Sequence, residues 1–139
     1  MTDLEIFQSI AKGYNNLDYR YFEQVLSPGV IYESQWVLSS LIGYDAVIGY
    51  LKRKFEAVRE SKDYVYAEIG IVDPDRRNSR TQDGLLLLDD EYGIIISQGK
   101  RENKGSVICL KIKNNKVDRI DMCFIPHWSF FIRTGEYPS

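Results

Sequence analysis

The chain has 139 residues, 44% hydrophobic and 27% charged, with 18 basic and 20 acidic residues and a formal net charge of −2. That length fits one domain with a workable core, and the composition excludes a disordered chain. The near-neutral balance gives no overall field for nucleic acid or an acidic membrane.

The opening MTDLEIFQSIAK carries Asp3 and Glu5 and lacks the basic and apolar regions of a signal peptide, so a cytoplasmic location is expected. Thr2 and Glu5 have capping-box spacing. Leu4, Phe7, Ile10, Ala11 and Tyr14 then recur at helical spacing, predicting a helix of about three turns ended near Gly13–Asn16. Asn16 or Asp18 caps a second short helix carrying Phe22, Val25 and Leu26, which Ser27-Pro28-Gly29 stops.

Next comes an alternating strand. Val30, Tyr32, Ser34 and Trp36 share one face; Ile31, Glu33 and Gln35 take the other. Gly43 breaks the chain and Asp45 is the expected cap of a long helix with the stripe Val47, Ile48, Leu51, Phe55 and Val58. After Lys62 the period changes to two. Tyr64–Val72 is predicted as a strand, and DPDRRNSRTQDG at Asp73–Gly84 as a long loop. Leu85–Leu88 and Ile94–Ser97 read as strand pieces around an acidic turn. Ser106–Lys113 and Val117–Ile125 form a hairpin around Asn114–Lys116.

The hairpin's register follows from burial. A three-residue loop sets Leu110 opposite Ile120, Ile108 opposite Met122, Cys109 opposite Asp121 and Val107 opposite Cys123. A slip by one would set Ile108 against Asp121. Neither register puts Cys109 opposite Cys123, so both are expected as free thiols behaving as small hydrophobes. Two cysteines and one histidine make no familiar metal set, and no cofactor motif is present. Helices first and strands afterwards indicate a single α+β domain over residues 1–139.

This order resembles the NTF2-like superfamily, in particular its SnoaL-like branch. The resemblance rests on the Val-x-Tyr-x-Ser-x-Trp strand face, the Gly-x-Asp-x-Val-Ile-x-Tyr-Leu helix start and the KVDRIDMCFIP strand. It implies a strongly curved antiparallel sheet wrapped around the helices, a cone with a central pocket. It does not imply one function, because such folds host isomerases, dehydratases, cyclases, transport factors and immunity proteins. Ketosteroid isomerases in this superfamily use an aspartate base on the first strand and a tyrosine on the first helix, with a protonated aspartic acid on the sheet. Ungapped comparison puts Ser34 at the base position and Ile10 at the tyrosine position, so those catalytic groups are expected to be absent. A one-residue slip would bring Glu33 to the base position but turn Tyr32 and Trp36 outward.

The expected pocket residues are Tyr14, Tyr32, Ser34, Trp36, Lys54, Met122, Phe124 and His127. They make a mostly apolar wall with few polar groups, suited to a small apolar or aromatic molecule. His127, after the last strand, would titrate near neutral pH at the pocket mouth. Lys54, one turn after Tyr50, would have a lowered pKa if buried; on the surface it would be an ordinary snorkelling lysine. Small-molecule binding is the expected function, against isomerase, dehydratase or cyclase chemistry, or a protein-interaction or immunity role on the outer sheet. That outer face carries Val107, Cys109, Cys123 and Ile125. It either pairs two copies back to back, the expected homodimer, or is covered by the C-terminal segment Trp128–Ile132.

Overall fold

The computed structural model describes residues 1–34, 40–80, 87–100, 104–124 and 130–139, the side chains of Lys104 and Phe124 excepted. Trp36, Ile125 and His127 therefore lie outside the described residues, as does the side chain of Phe124. So do residues 85–86 of the expected Leu85–Leu88 strand and 81–84 of the expected loop.

Helix α1 spans Asp3–Asn16 and starts as its sequence predicts. The Thr2 amide donates to Glu5 Oε1 at 2.9 Å, and the Glu5 amide donates to Thr2 Oγ1 at 3.2 Å. The helix ends on Leu17 in the left-handed region, φ 51°. Buried Ile6, Phe7, Ile10, Ala11 and Tyr14 mark its inner face. Helix α2 is shorter than expected, Arg20–Glu23 only, with Asp18 accepting from the Arg20 amide. Its Phe22 ring lies against Gly13, where an added Cβ would come within 2.4 Å of the ring. Val25 and Leu26 are not helical. Strand β1, Leu26–Ser34, already begins there, and Ser27-Pro28-Gly29 is a bulge within it rather than a helix stop.

A second strand absent from the sequence prediction, β2 at Leu41–Ile42, pairs antiparallel with β1. Helix α3 spans Tyr44–Ser61. Its cap is Gly43 at φ 101°, a conformation glycine adopts without strain, and no side chain caps it; Asp45 lies one residue inside, in the first turn. Val47, Leu51 and Phe55 are its buried stripe.

The remaining strands are β3 (Val65–Val72), β4 (Tyr92–Gln98), β5 (Lys104–Lys113), β6 (Lys116–Phe124) and β7 (Phe131–Arg133). They form one seven-stranded sheet in the order β2-β1-β6-β5-β4-β3-β7. All pairings are antiparallel except β1 with β6, which is parallel. Register shifts fall in β1 between Leu26 and Ile31, between β4 and β5 at Ile96/Ser97, and between β5 and β6 at Lys111/Ile112. Bulges bend strands and increase their twist, and here they curve the sheet around the helices.

The hairpin of β5 and β6 has the register predicted from burial: Leu110 opposes Ile120, and Ile108 opposes Met122. The turn differs. Asn114 and Asn115 both adopt positive φ, 53° and 60°, in a two-residue turn closed by Lys113 opposite Lys116. The bulge at Lys111/Ile112 supplies the extra residue that the predicted three-residue loop would have held.

Each face of the sheet has its own apolar cluster. The concave face, with Tyr32, Ile69, Ile94, Ile108, Leu110 and Met122, packs on α1 and α3. The convex face gathers Val72, Leu88, Ile95, Val107, Cys109, Cys123, Phe130 and Phe131. Val107, Cys109 and Cys123, expected as a dimer surface, are buried within the chain beside Leu88, Phe130 and Phe131. Neither cysteine forms a disulfide. Phe131 sits in a slot made by Gly70 and Gly93, opposed on β3 and β4.

The C-terminal segment secures the β3 edge. The Asn15 side chain accepts from the Ala67 amide at 2.7 Å and donates to Ala67 O at 2.9 Å and Pro138 O at 2.5 Å. Glu68, buried on β3, accepts from Arg133 Nε at 2.7 Å and from the Gly135 amide at 2.8 Å.

Candidate functional site

Between the concave sheet and the helices lies a cavity of about 780 Å³. Tyr14 closes it from α1. Tyr50, Arg53, Lys54, Phe55 and Val58 enter from α3. Val65, Ile96, Gln98, Gly105, Ser106 and Met122 come from the sheet. Its inner end is aromatic: the Tyr14 and Phe55 rings meet edge to face at 5.2 Å, and Phe22 packs on both.

Sequence places Tyr50 and Lys54 on one side of α3 because they are four residues apart. The sheet fixes the opposite wall by parity. Ile108 faces the helices, so Ser106 two residues earlier does too, and Met122 opposes Ile108. Of the expected pocket residues, Tyr14, Lys54 and Met122 line the cavity. Tyr32 lies behind Met122, fully buried, with its hydroxyl 3.8 Å from Met122 Sδ and its ring 5.1 Å from that of Tyr50. Ser34 ends β1 opposite Met122, beside Tyr32. Glu33 points to the convex side and forms an ion pair with Arg119 at 2.9 Å; Asp121 pairs with the same arginine. Ile10, at the tyrosine position of the isomerase comparison, is buried in the core.

Tyr50, Arg53, Ile96, Gln98 and Ser106 were not expected at the site. Parity along β5 from Ile108 would have found Ser106, and the four-residue spacing from Lys54 would have found Tyr50. Ile96 and Gln98 depend on the pairing of β4 with its neighbours, which no local pattern fixes.

Lys54 is the chemical centre of the cavity. Its Nζ lies 3.8 Å from Met122 Sδ, 5.7 Å from the Tyr14 ring centroid and 5.9 Å from that of Tyr50. Among the described residues no carboxylate pairs with it. Burial lowers its pKa from 10.5 to about 8, because the surrounding apolar groups replace water around the charged form. The two tyrosine faces oppose this, since ring faces attract a cation.

Tyr14 and Tyr32 are held well above the usual tyrosine range, first by burial and then by neighbouring tyrosines. Both hydroxyls are therefore neutral donors at ordinary pH. The Tyr32 hydroxyl is close enough to moderate the rise at Tyr14, yet the Tyr14 hydroxyl completes no hydrogen bond and is buried without a partner. Buried polar groups are nearly always satisfied, so this hydroxyl is an exception within the aromatic inner end. Among the described residues no group of three or more His, Cys, Asp or Glu is placed to hold a metal ion. None of the helices is long and apolar enough to cross a membrane.

A bent, mostly antiparallel sheet closed over helices around a pocket is the NTF2-like, or cystatin-like, fold. Solved structures place the chain in that class. An NTF2-like protein of unknown function from Mesorhizobium loti superposes with a TM-score of 0.60 at 8% identity, over 88% of this chain and 89% of that one. A de novo designed protein with a curved β-sheet gives 0.59 at 16% identity, over 92% and 91%. A protein of unknown function with a cystatin-like fold from Methylobium petroleophilum gives 0.56 at 10%, over 96% and 84%. These likenesses concern the fold alone. No protein-family model matches the sequence, and no curated protein matches it.

Proposed function

We propose that the chain binds a small, largely apolar or aromatic molecule in the cavity between sheet and helices, with Lys54 meeting its polar atoms. The observation that carries this is a desolvated amine, Lys54, with no carboxylate partner among the described residues, in a cavity of about 780 Å³. That volume and its mostly apolar walls suit a small ligand. Among the described residues the lining holds two cations, Arg53 and Lys54, and neither a carboxylate nor a histidine. No acid–base pair of the isomerase or cyclase kind converges there among the described residues, from which His127 is excluded.

Isothermal titration with 2-naphthalenemethanol, a neutral aromatic of suitable size, tests this. One site per chain is expected. Ile96→Trp, which fills the cavity from β4, should abolish it while circular dichroism stays unchanged. Absence of binding to the wild type, or binding that survives Ile96→Trp in a folded variant, would overturn the proposal.

A further inference from the structure

The geometry points to Lys54 as a nucleophile that forms a reversible imine with an aldehyde or ketone carried on an apolar ligand. This rests on the proposed binding role of the cavity and adds a covalent step to it.

An amine attacks a carbonyl only through its free lone pair, so it must lose its proton and stay clear of carboxylates that would keep it charged. Lys54 meets both requirements. Its nitrogen lies against Met122 Sδ and the faces of Tyr14 and Tyr50, and none of these stabilises the ammonium as a carboxylate would. A pKa near 8 leaves a neutral fraction at pH 7 about a hundredfold or more above that of a lysine at 10.5.

The step balances without a further reagent. The Lys54 lone pair attacks the carbonyl carbon and a C–N bond forms. The π electrons move to oxygen, which takes up a proton as nitrogen loses one, giving a carbinolamine. The C–O bond then breaks, the second amine proton leaves with the hydroxyl as water, and an imine remains.

Sodium cyanoborohydride, which reduces an imine to a stable secondary amine, makes the step visible. The full chain is incubated at pH 7 with 2-naphthaldehyde and the reductant, then followed by intact mass and peptide mapping. Labelling at Lys54 is expected at least about tenfold faster than at exposed Lys52, Lys62 or Lys113, with a rate that levels off above about pH 8. Lys54→Met and Lys54→Arg should both lose this fast label, and circular dichroism verifies their folding. Labelling spread evenly over the surface lysines, or a fast label that persists in folded Lys54→Met, would overturn the inference. If 2-naphthalenemethanol binds but the aldehyde does not label Lys54, the covalent step fails and the binding proposal stands. If neither binds, both fail.

Discussion

Replacing Lys54 by methionine should stabilise the protein at neutral pH. Methionine keeps an unbranched side chain of similar length but carries no charge. In the folded state the ammonium is disfavoured by burial, with a pKa near 8 against an ordinary 10.5. At about 1.4 kcal/mol per pH unit, that gap is a ceiling of about 3.5 kcal/mol. Cation–π attraction from the rings of Tyr14 and Tyr50 offsets about 0.5–1 kcal/mol each, so a gain of about 1.5–2.5 kcal/mol is expected. The pH window follows from the direction of the shift. Below about pH 8 both states hold the proton and the full cost is present. Between about 8 and 10.5 the unfolded chain holds it and the folded one does not, so the lysine's contribution to stability rises. Other groups act in the opposite sense at high pH. Cys109, Tyr14 and Tyr32 stay protonated when folded and ionise when unfolded, which lowers stability above about pH 9–10. The difference between variant and wild type removes their contribution. Urea denaturation of both proteins at pH 7 and pH 10 measures it: the variant's advantage should be present at pH 7 and largely gone at pH 10. An advantage that is constant over that range, or a variant less stable than wild type at pH 7, would refute a desolvated Lys54.

Three further perturbations probe the frame around the site. Tyr14→Phe removes a buried hydroxyl that has no partner, so thermal denaturation should show a change within about 1 kcal/mol of zero or a small gain. Gly93→Ala would place a Cβ 2.3 Å from the Phe131 ring; a loss of about 1–3 kcal/mol is expected in urea titration, with partial recovery in the Gly93→Ala, Phe131→Leu double variant. Asn15→Ala removes three hydrogen bonds to β3 and the C-terminal segment, and should cost about 2–4 kcal/mol and speed amide exchange at Ala67 and Ile69.

Much of the container was legible in the chain. Thr2 and Glu5 signalled the first helix, and the period of 3.6 from Val47 to Phe55 signalled the long one, because these signals act between residues a turn apart. The register of β5 on β6 was legible for the same reason: only one alignment puts Ile108 and Leu110 on the buried side with Met122 and Ile120. Alternation along β1 correctly separated Tyr32 from Glu33. The capping of α3 misled, since Asp45 is a favourable cap residue but Gly43 reaches the needed positive φ without strain.

What the sequence by itself determined is the set of local elements and which face of each is apolar. Only the tertiary structure decided how they meet, because those contacts join residues far apart in the chain and leave no local period. The parallel pairing of β1 with β6 brings Tyr32 beside Met122. The strands β2 and β7 are too short to show alternation. The convex apolar face is covered by Leu88, Phe130 and Phe131 of the same chain, which composition could not distinguish from pairing with a second copy. The state of Lys54 is of the same kind. Its sequence fits a pocket amine and a surface cation alike, and burial in the cavity, with Met122 Sδ 3.8 Å from its nitrogen, makes it the first.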